Sequence, residues 1–226
     1  SAPEFAVSIS AARLGHTDIA LGNVVGSNIF NLGFILGICI LIAPIRTSPS
    51  LFRRDCTMLI FSLAFLTAFA FDGIITGYEG VILLIALVAY SNLLMHHAKH
   101  EPTPENSAPV TDSSGPHRPI LIGIIALTGI LIGARLLVDN GVAAAQSAGV
   151  SDWLISVTII ALGTSLPELV TSLVAATKGH HEMSAGALVG SDIYNTLGVL
   201  GVTACITSIP VTSQSLVSIG MSLAMV

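Results

Sequence analysis

Residues 1–37, SAPEFAVSISAARLGHTDIALGNVVGSNIFNLGFILG, fall without a gap on residues 165–201, SLPELVTSLVAATKGHHEMSAGALVGSDIYNTLGVLG. Sixteen of the 37 positions are identical, among them Pro3/Pro167, Glu4/Glu168, Ser8/Ser172, Gly15/Gly179, Gly26/Gly190, Ser27/Ser191 and Asn31/Asn195. Chance likeness between two apolar helices would match Leu, Ile and Val. Here the matches fall on residues that a lipid-facing helix has no use for. The chain is therefore built on a repeat, and the repeat determines its architecture.

The rest of the chain explains the solvent. Of its 226 residues, 53% are hydrophobic and 9% are charged, against about 25% charged in a soluble domain. Apolar stretches at 29–45, 56–71, 80–95, 119–138 and 153–177 approach or extend to the roughly 20 residues of a spanning helix. We expect an all-α polytopic membrane protein with helices over 1–13, 19–43, 56–71, 78–95, 119–138, 153–177 and 184–207, and another starting near 213. That makes seven to eight spans. The turn inside the first copy (Arg13–Asp18) and that inside the second (Lys178–Met183) are separated by five spans. An odd number puts the turns on opposite sides, so the two copies should be inverted, an arrangement found in many secondary transporters.

Lys and Arg set the expected orientation. One side collects Arg46, Arg53, Arg54, Lys99, Arg118 and Lys178; the other has Arg13 and Arg135. The richer side faces the cytoplasm, and the opposite side carries Asp18, Asp72, Glu79, Asp139 and Asp152. Residues 96–118 form the one long polar segment and read as a flexible cytoplasmic linker. It divides the chain into halves at 1–95 and 119–226. His96, His97 and His100 read as a solvated tract at a helix end. Cys39, Cys56 and Cys205 lack CxxC spacing and read as small buried hydrophobes. No nucleotide, nucleophile or catalytic-metal motif is present, so no enzyme is expected, and there is no basic face for nucleic acid. The chain opens within a pattern, on Ser1-Ala2-Pro3-Glu4, and reads as a fragment.

The repeated motif carries the chemistry. A carboxylate near the middle of a membrane helix costs about 2.5–3.5 kcal/mol and marks a functional site by default. Glu168 is such a group and Glu4 is its mate; on inverted helices the two converge near the midplane. Two carboxylates with neutral oxygens suit Ca2+, and equally Na+ or protons. Pro167 cannot donate to the Gly163 carbonyl and opens the backbone around Gly163–Thr164, while Thr164 and Glu168, four apart, share a face. In the Gly-Ser segments, Ser27/Asn31 and Ser191/Asn195 each project two oxygen ligands from one helix face. Gly22, Gly26, Gly186 and Gly190 have the small-xxx-small spacing of close helix contacts. Asn28 and Asp192 do not match. Asp192 is either a third carboxylate near the site or a group facing another polar pocket. His16 and His180 read as turn residues.

SAPEFAVS…GNVVGSNIFN and GTSLPELVTS…GALVGSDIYN resemble the two alpha-repeats of the sodium/calcium exchanger family, within the cation/calcium antiporter superfamily. The resemblance covers about 1–40 and 160–205 closely. It implies ten helices in two inverted halves of five, of which this chain would lack the first and the last part, and a prokaryotic-type protein of the plasma (inner) membrane. It implies Ca2+ exchange against Na+ by alternating access. Glu4 and Glu168 would be the central metal ligands, with Ser27, Asn31, Ser191 and Asn195 around them and Thr164 and Ser165 adding oxygens. Ca2+, Na+ and the lipid bilayer are the expected partners, and no cofactor is expected beyond the transported ions. Asn195 stands where several members have Asp, and Asp192 where Asn is common. A proton-coupled cation antiporter of the same superfamily and a non-transporting membrane subunit are the other readings.

Overall fold

The computed structural model describes residues 1–42, 51–98 and 117–226. Helix α1 (Ala2–Arg13) turns into α2 (Thr17–Ile42). Next come α3 (Leu51–Asp72), α4 (Gly77–Ala98) and α5 (His117–Ser147). Helices α6 (Asp152–Thr164) and α7 (Leu166–Thr177) follow as a bent pair. Helix α8 (Glu182–Ile206) and α9 (Ser213–Ala224) complete the order. Among the described residues, four helices are long and apolar enough to cross a membrane, or five if α6 and α7 count as one broken span. The expected Arg46, Lys99 and His100 lie outside the described residues, as does most of the expected linker.

Three boundaries differ from the sequence expectation. Helix α3 begins at Leu51 rather than 56, taking in Arg54 and Asp55. The two charges can enter because they pair: Arg54 Nε donates to Asp55 Oδ1 at 2.7 Å, and Tyr90 Oη donates to the same oxygen at 3.0 Å. Helix α5 runs to Ser147 rather than 138, since the Val-Ala-Ala-Ala run after Asp139 favours helix strongly. The stretch expected as one helix over 153–177 is broken at Ser165 and bent by 47°. Pro167 removes the bond to the Gly163 carbonyl, and a new helix starts with Pro167 in its first turn.

The two copies fold alike in local detail. Helix α1 ends with His16 N–H bonded to Ala11 O at 2.9 Å and Gly15 N–H to Ala12 O at 3.1 Å. Helix α7 ends with His180 N–H on Ala175 O at 2.8 Å and Gly179 N–H on Ala176 O at 3.1 Å. Both are Schellman ends, and Gly15 and Gly179 take the left-handed φ of 81° and 82° that such an end requires. His16 and His180 are exposed residues of these turns. Beyond the turns, α2 and α8 both widen into a π-helical stretch, at Phe30–Ile35 and at Tyr194–Val199. These stretches occupy matching positions of the repeat, directly after the Gly-Ser segments.

Helix α8 is the central post: 72% of its apolar window is buried, against 17% for α4. Its Ile193 and Leu197 cluster with Leu59, Leu63, Leu66 and Leu83, none of them exposed. Phe61, Phe65, Ile82 and Ile85 instead point outward, as suits helices whose solvent is lipid. A two-residue antiparallel pairing, Ile74 with Pro210 and Ile75 with Ile209, ties the α3–α4 connection to the α8–α9 connection.

Glycine permits the tightest contacts. A Cβ on Gly26 would sit 2.5 Å from Val157 O and 2.7 Å from Ala161 Cβ, and one on Gly22 would sit 2.9 Å from Ser156 Oγ. These two bring α2 against α6. The expectation holds for the first copy only: Gly186 would meet only Leu51 Cδ1 at 3.8 Å, and Gly190 has nothing within 4 Å among the described residues. Gly26→Ala should therefore lower the melting temperature of the detergent-solubilised protein, since backbone must move at an overpacking cost of about 1–3 kcal/mol. Gly190→Ala should leave it near the parent's. Thermal denaturation followed by size-exclusion chromatography compares the two.

Candidate cation site

The site is assembled where α1, α2, α7 and α8 meet. Helix α1 supplies Glu4 from its first turn and α7 supplies Glu168 from its first turn. Each glutamate directly follows a proline, Pro3 or Pro167. Glu4 is fully buried and the Glu168 side chain is 13% exposed. The Ser1 nitrogen lies 2.6 Å from Glu168 Oε1 and 3.6 Å from Glu4 Oε2. The Ser1 backbone nitrogen thus lies within 4 Å of both carboxylates, so the two repeat-mated glutamates face a common point.

Hydroxyls and amides link the two copies. Ser191 Oγ donates to Glu168 Oε1 at 3.3 Å and lies 2.9 Å from Ser1 Oγ. Ser27 Oγ lies 3.2 Å from Thr164 Oγ1, a contact from the first copy to the second. Asn31 Nδ2 donates to Asp192 Oδ1 at 2.8 Å, and Asn195 Nδ2 donates to Asn28 Oδ1 at 3.3 Å. Ser27, Asn31, Ser165, Asp192 and Asn195 are all fully buried, and Thr164 nearly so.

The distinguishing feature is what these groups lack. Buried polar atoms in proteins are almost always hydrogen-bonded. Here both Glu4 carboxylate oxygens, Glu168 Oε2, Asp192 Oδ2, Asn31 Oδ1, Asn195 Oδ1, Ser165 Oγ and Ser172 Oγ are buried without a hydrogen-bond partner. Every one is an oxygen. A set of orphan oxygens that includes carboxylates is short of positive charge, and hard cations take oxygen ligands of this mixed kind. Among the described residues no three of His, Cys, Asp and Glu gather as a metal cluster. The carboxylates are instead interleaved with neutral oxygens. An apolar groove of about 820 Å3, lined by Phe30, Phe34 and Leu162, contains none of the orphan atoms.

One buried polar residue beside the glutamates was not singled out from the sequence. Asn23 is fully buried; its Nδ2 donates to Ser8 Oγ at 3.0 Å and reaches the Glu4 carbonyl at 3.4 Å. Its Oδ1 accepts from Thr164 Oγ1 at 3.0 Å. It ties α1, α2 and α6 together beside the glutamates. The available signal was the spacing: Asn23, Ser27 and Asn31 stand four apart on one face of α2. The second copy has Ala187 at the matching position, which hid it from the repeat comparison.

The model of the sodium/calcium exchanger protein family matches residues 1–95 and 119–226. The chain belongs to this family. It is 32% identical over 215 residues to the uncharacterized membrane protein MJ0091 of Methanocaldococcus jannaschii, covering 93% of this chain and 68% of that one. It is 28% identical to the sodium/calcium exchanger MaX1 of Methanosarcina acetivorans, covering 96% of this chain and 73% of that one. The fold superimposes on the sodium–calcium exchanger NCX_Mj, crystals of which were soaked with 10 mM Na+, with a TM-score of 0.76 and 32% identity, over 98% of this chain and 72% of that one. The first relatives matched are spanned over 65–68% of their length. As a member of this family the chain is an integral membrane protein.

Asn23→Ala removes the bridge between Thr164, Ser8 and the Glu4 backbone. Loss of a group that orients a metal ligand typically costs about 10–100-fold in affinity. The variant should show a Ca2+ half-saturation raised within that range, measured by isotope uptake into proteoliposomes.

Proposed function

We propose that the chain carries the cation site of an antiporter that exchanges Ca2+ for Na+ across a prokaryotic plasma membrane. The observation that carries the reading is the group of buried orphan oxygens around Glu4 and Glu168. The ligand set is Glu4, Ser27, Asn31, Thr164, Ser165, Glu168, Ser191 and Asn195, with both glutamates near the bilayer midplane on inverted repeats. One feature favours inversion: the five spans that the sequence places between the repeat turns, an odd number; the Schellman end and the π-helical stretch that recur in each copy support only the likeness of the copies. The exchangers among the relatives, named for Na+ and Ca2+, favour these two ions as cargo.

Electrostatics gives the mechanism. A carboxylate removed from water carries a desolvation cost of several kcal/mol unless a partner compensates it. The empty site, with its glutamates charged, resists the passage between inward and outward exposure. Ca2+ compensates both carboxylates at once, and Na+ ions do so as a pair. Either load lowers the barrier, while the bare site holds the protein in place. Competition for one set of oxygens thereby couples the two ions. The serine, threonine and asparagine oxygens complete coordination numbers of six to eight for Ca2+. The linker 96–118 lies on the cytoplasmic side in this reading, as the Lys and Arg bias requires.

Glu168→Gln should abolish Na+-driven 45Ca2+ uptake into proteoliposomes holding the full chain, because a single remaining carboxylate cannot compensate a divalent ion. Parental uptake by that variant would sink the assignment. The same vesicles decide the coupling ion. Uptake that follows an imposed Na+ gradient and ignores a pH gradient supports this reading. Uptake driven by a pH gradient without Na+ assigns protons, and no gradient-driven flux at all assigns a non-transporting subunit.

A further inference from the structure

Within the Gly-Ser segments the residue after the serine differs between copies: Asn28 in the first, Asp192 in the second. Both are buried, and neither belongs to the proposed ligand set. Each receives the side-chain amide of the asparagine from the opposite copy. Asn31 Nδ2 reaches Asp192 Oδ1 and Asn195 Nδ2 reaches Asn28 Oδ1. The consequence is directional. A carboxamide donates through nitrogen and accepts through oxygen, so pinning the nitrogen turns the oxygen the other way. Asn31 Oδ1 and Asn195 Oδ1 are both left buried without a partner. A flipped amide would present N–H groups to a cation and repel it.

We propose that Asp192 and Asn28 are positioning residues that hold Asn31 and Asn195 so that their oxygens face the cation. The proposal rests on the ligand set given above. The two clamps are built differently. In its ionised form the Asp192 carboxylate only accepts, so Asn31 can then offer it nothing but its nitrogen. Asn28 can act either way, and its direction is set one step further out, where its Nδ2 donates to Thr196 Oγ1 at 2.9 Å. The repeat mate of Thr196 is Leu32, which offers no acceptor. A carboxylate at 192 therefore does alone what an amide and a threonine do together in the other clamp. Asp192 goes with Leu32 as Asn28 goes with Thr196.

The test measures Ca2+ affinity by isothermal titration on the full chain in detergent, together with KM and kcat for Na+-driven uptake. Asp192→Asn gives residue 192 an amide that can turn, with no partner at 32 for its nitrogen. Its Ca2+ affinity should fall about 10–100-fold, the range for loss of an orienting partner, with KM rising more than kcat falls. Adding Leu32→Thr to that variant rebuilds the Asn–Thr clamp and should recover most of the loss. A merely structural role for Asp192 would give no such rescue. Parental affinity in Asp192→Asn, or a double variant no better than the single, overturns the proposal. Should Asp192→Asn fail to fold, Thr196→Val frees the other clamp and should weaken Ca2+ binding by a similar factor; parental affinity there overturns it too. Glu168→Gln is measured alongside. If it binds Ca2+ like the parent, the ligand set itself falls; if it loses binding while the clamp variants do not, only the clamps fall.

Discussion

Carboxylates buried without a positive partner are costly, and the fold is arranged around bearing that cost. Glu4 sits fully inside the protein with both oxygens lacking a hydrogen bond. Glu168 faces the same point from the other repeat, and Asp192 lies on the neighbouring helix. Isolated burial of this kind is normally neutralised by an ion pair or hydrogen bonds. Here the surrounding side chains supply mainly more oxygen. In the proposed function a cation filling such a cluster stabilises it, and the bare cluster carries the desolvation cost. That alternation is what a carrier needs, because binding is then worth enough to favour one passage over another.

The backbone serves the same constraint. Pro167 breaks the α6–α7 rod at Ser165, so that Thr164 and Glu168 leave the break in different helices yet meet the same site. Gly22 and Gly26 let α2 lie directly on α6, which brings Ser27 to Thr164. Asn23 then ties the contact to α1 through Ser8 and the Glu4 carbonyl. Pro167, Gly22, Gly26 and Asn23 stand outside the proposed ligand set. Each shortens a distance or removes a hydrogen bond so that oxygens from different helices share one space.

Most of the fold was legible in the residues. The apolar stretches located the long helices, and Gly15 and Gly179 marked matching turns because a Schellman end requires positive φ. Boundaries were less legible where a local rule met a tertiary partner. Arg54 and Asp55 look like loop residues until Tyr90 and their mutual pairing admit them to a helix. The small-residue spacing of Gly186 and Gly190 matches that of Gly22 and Gly26. Spacing shows that a helix can be approached closely, but only the packing shows whether a neighbour does so.

The repeat itself supplied the glutamates, the serines and the asparagines, since duplicated polar residues in an apolar chain stand out against their surroundings. Asn23 escaped because its mate is Ala187, and no comparison between copies can find a residue present in one alone. The sequence by itself thus determined that two matching acidic motifs lie in membrane helices. Only the tertiary structure decided which way each oxygen points and which atoms remain without partners. The pairing of Asn31 with Asp192, 161 residues away in the chain, has no local cause: a hydrogen bond of a few ångströms depends on how whole helices pack.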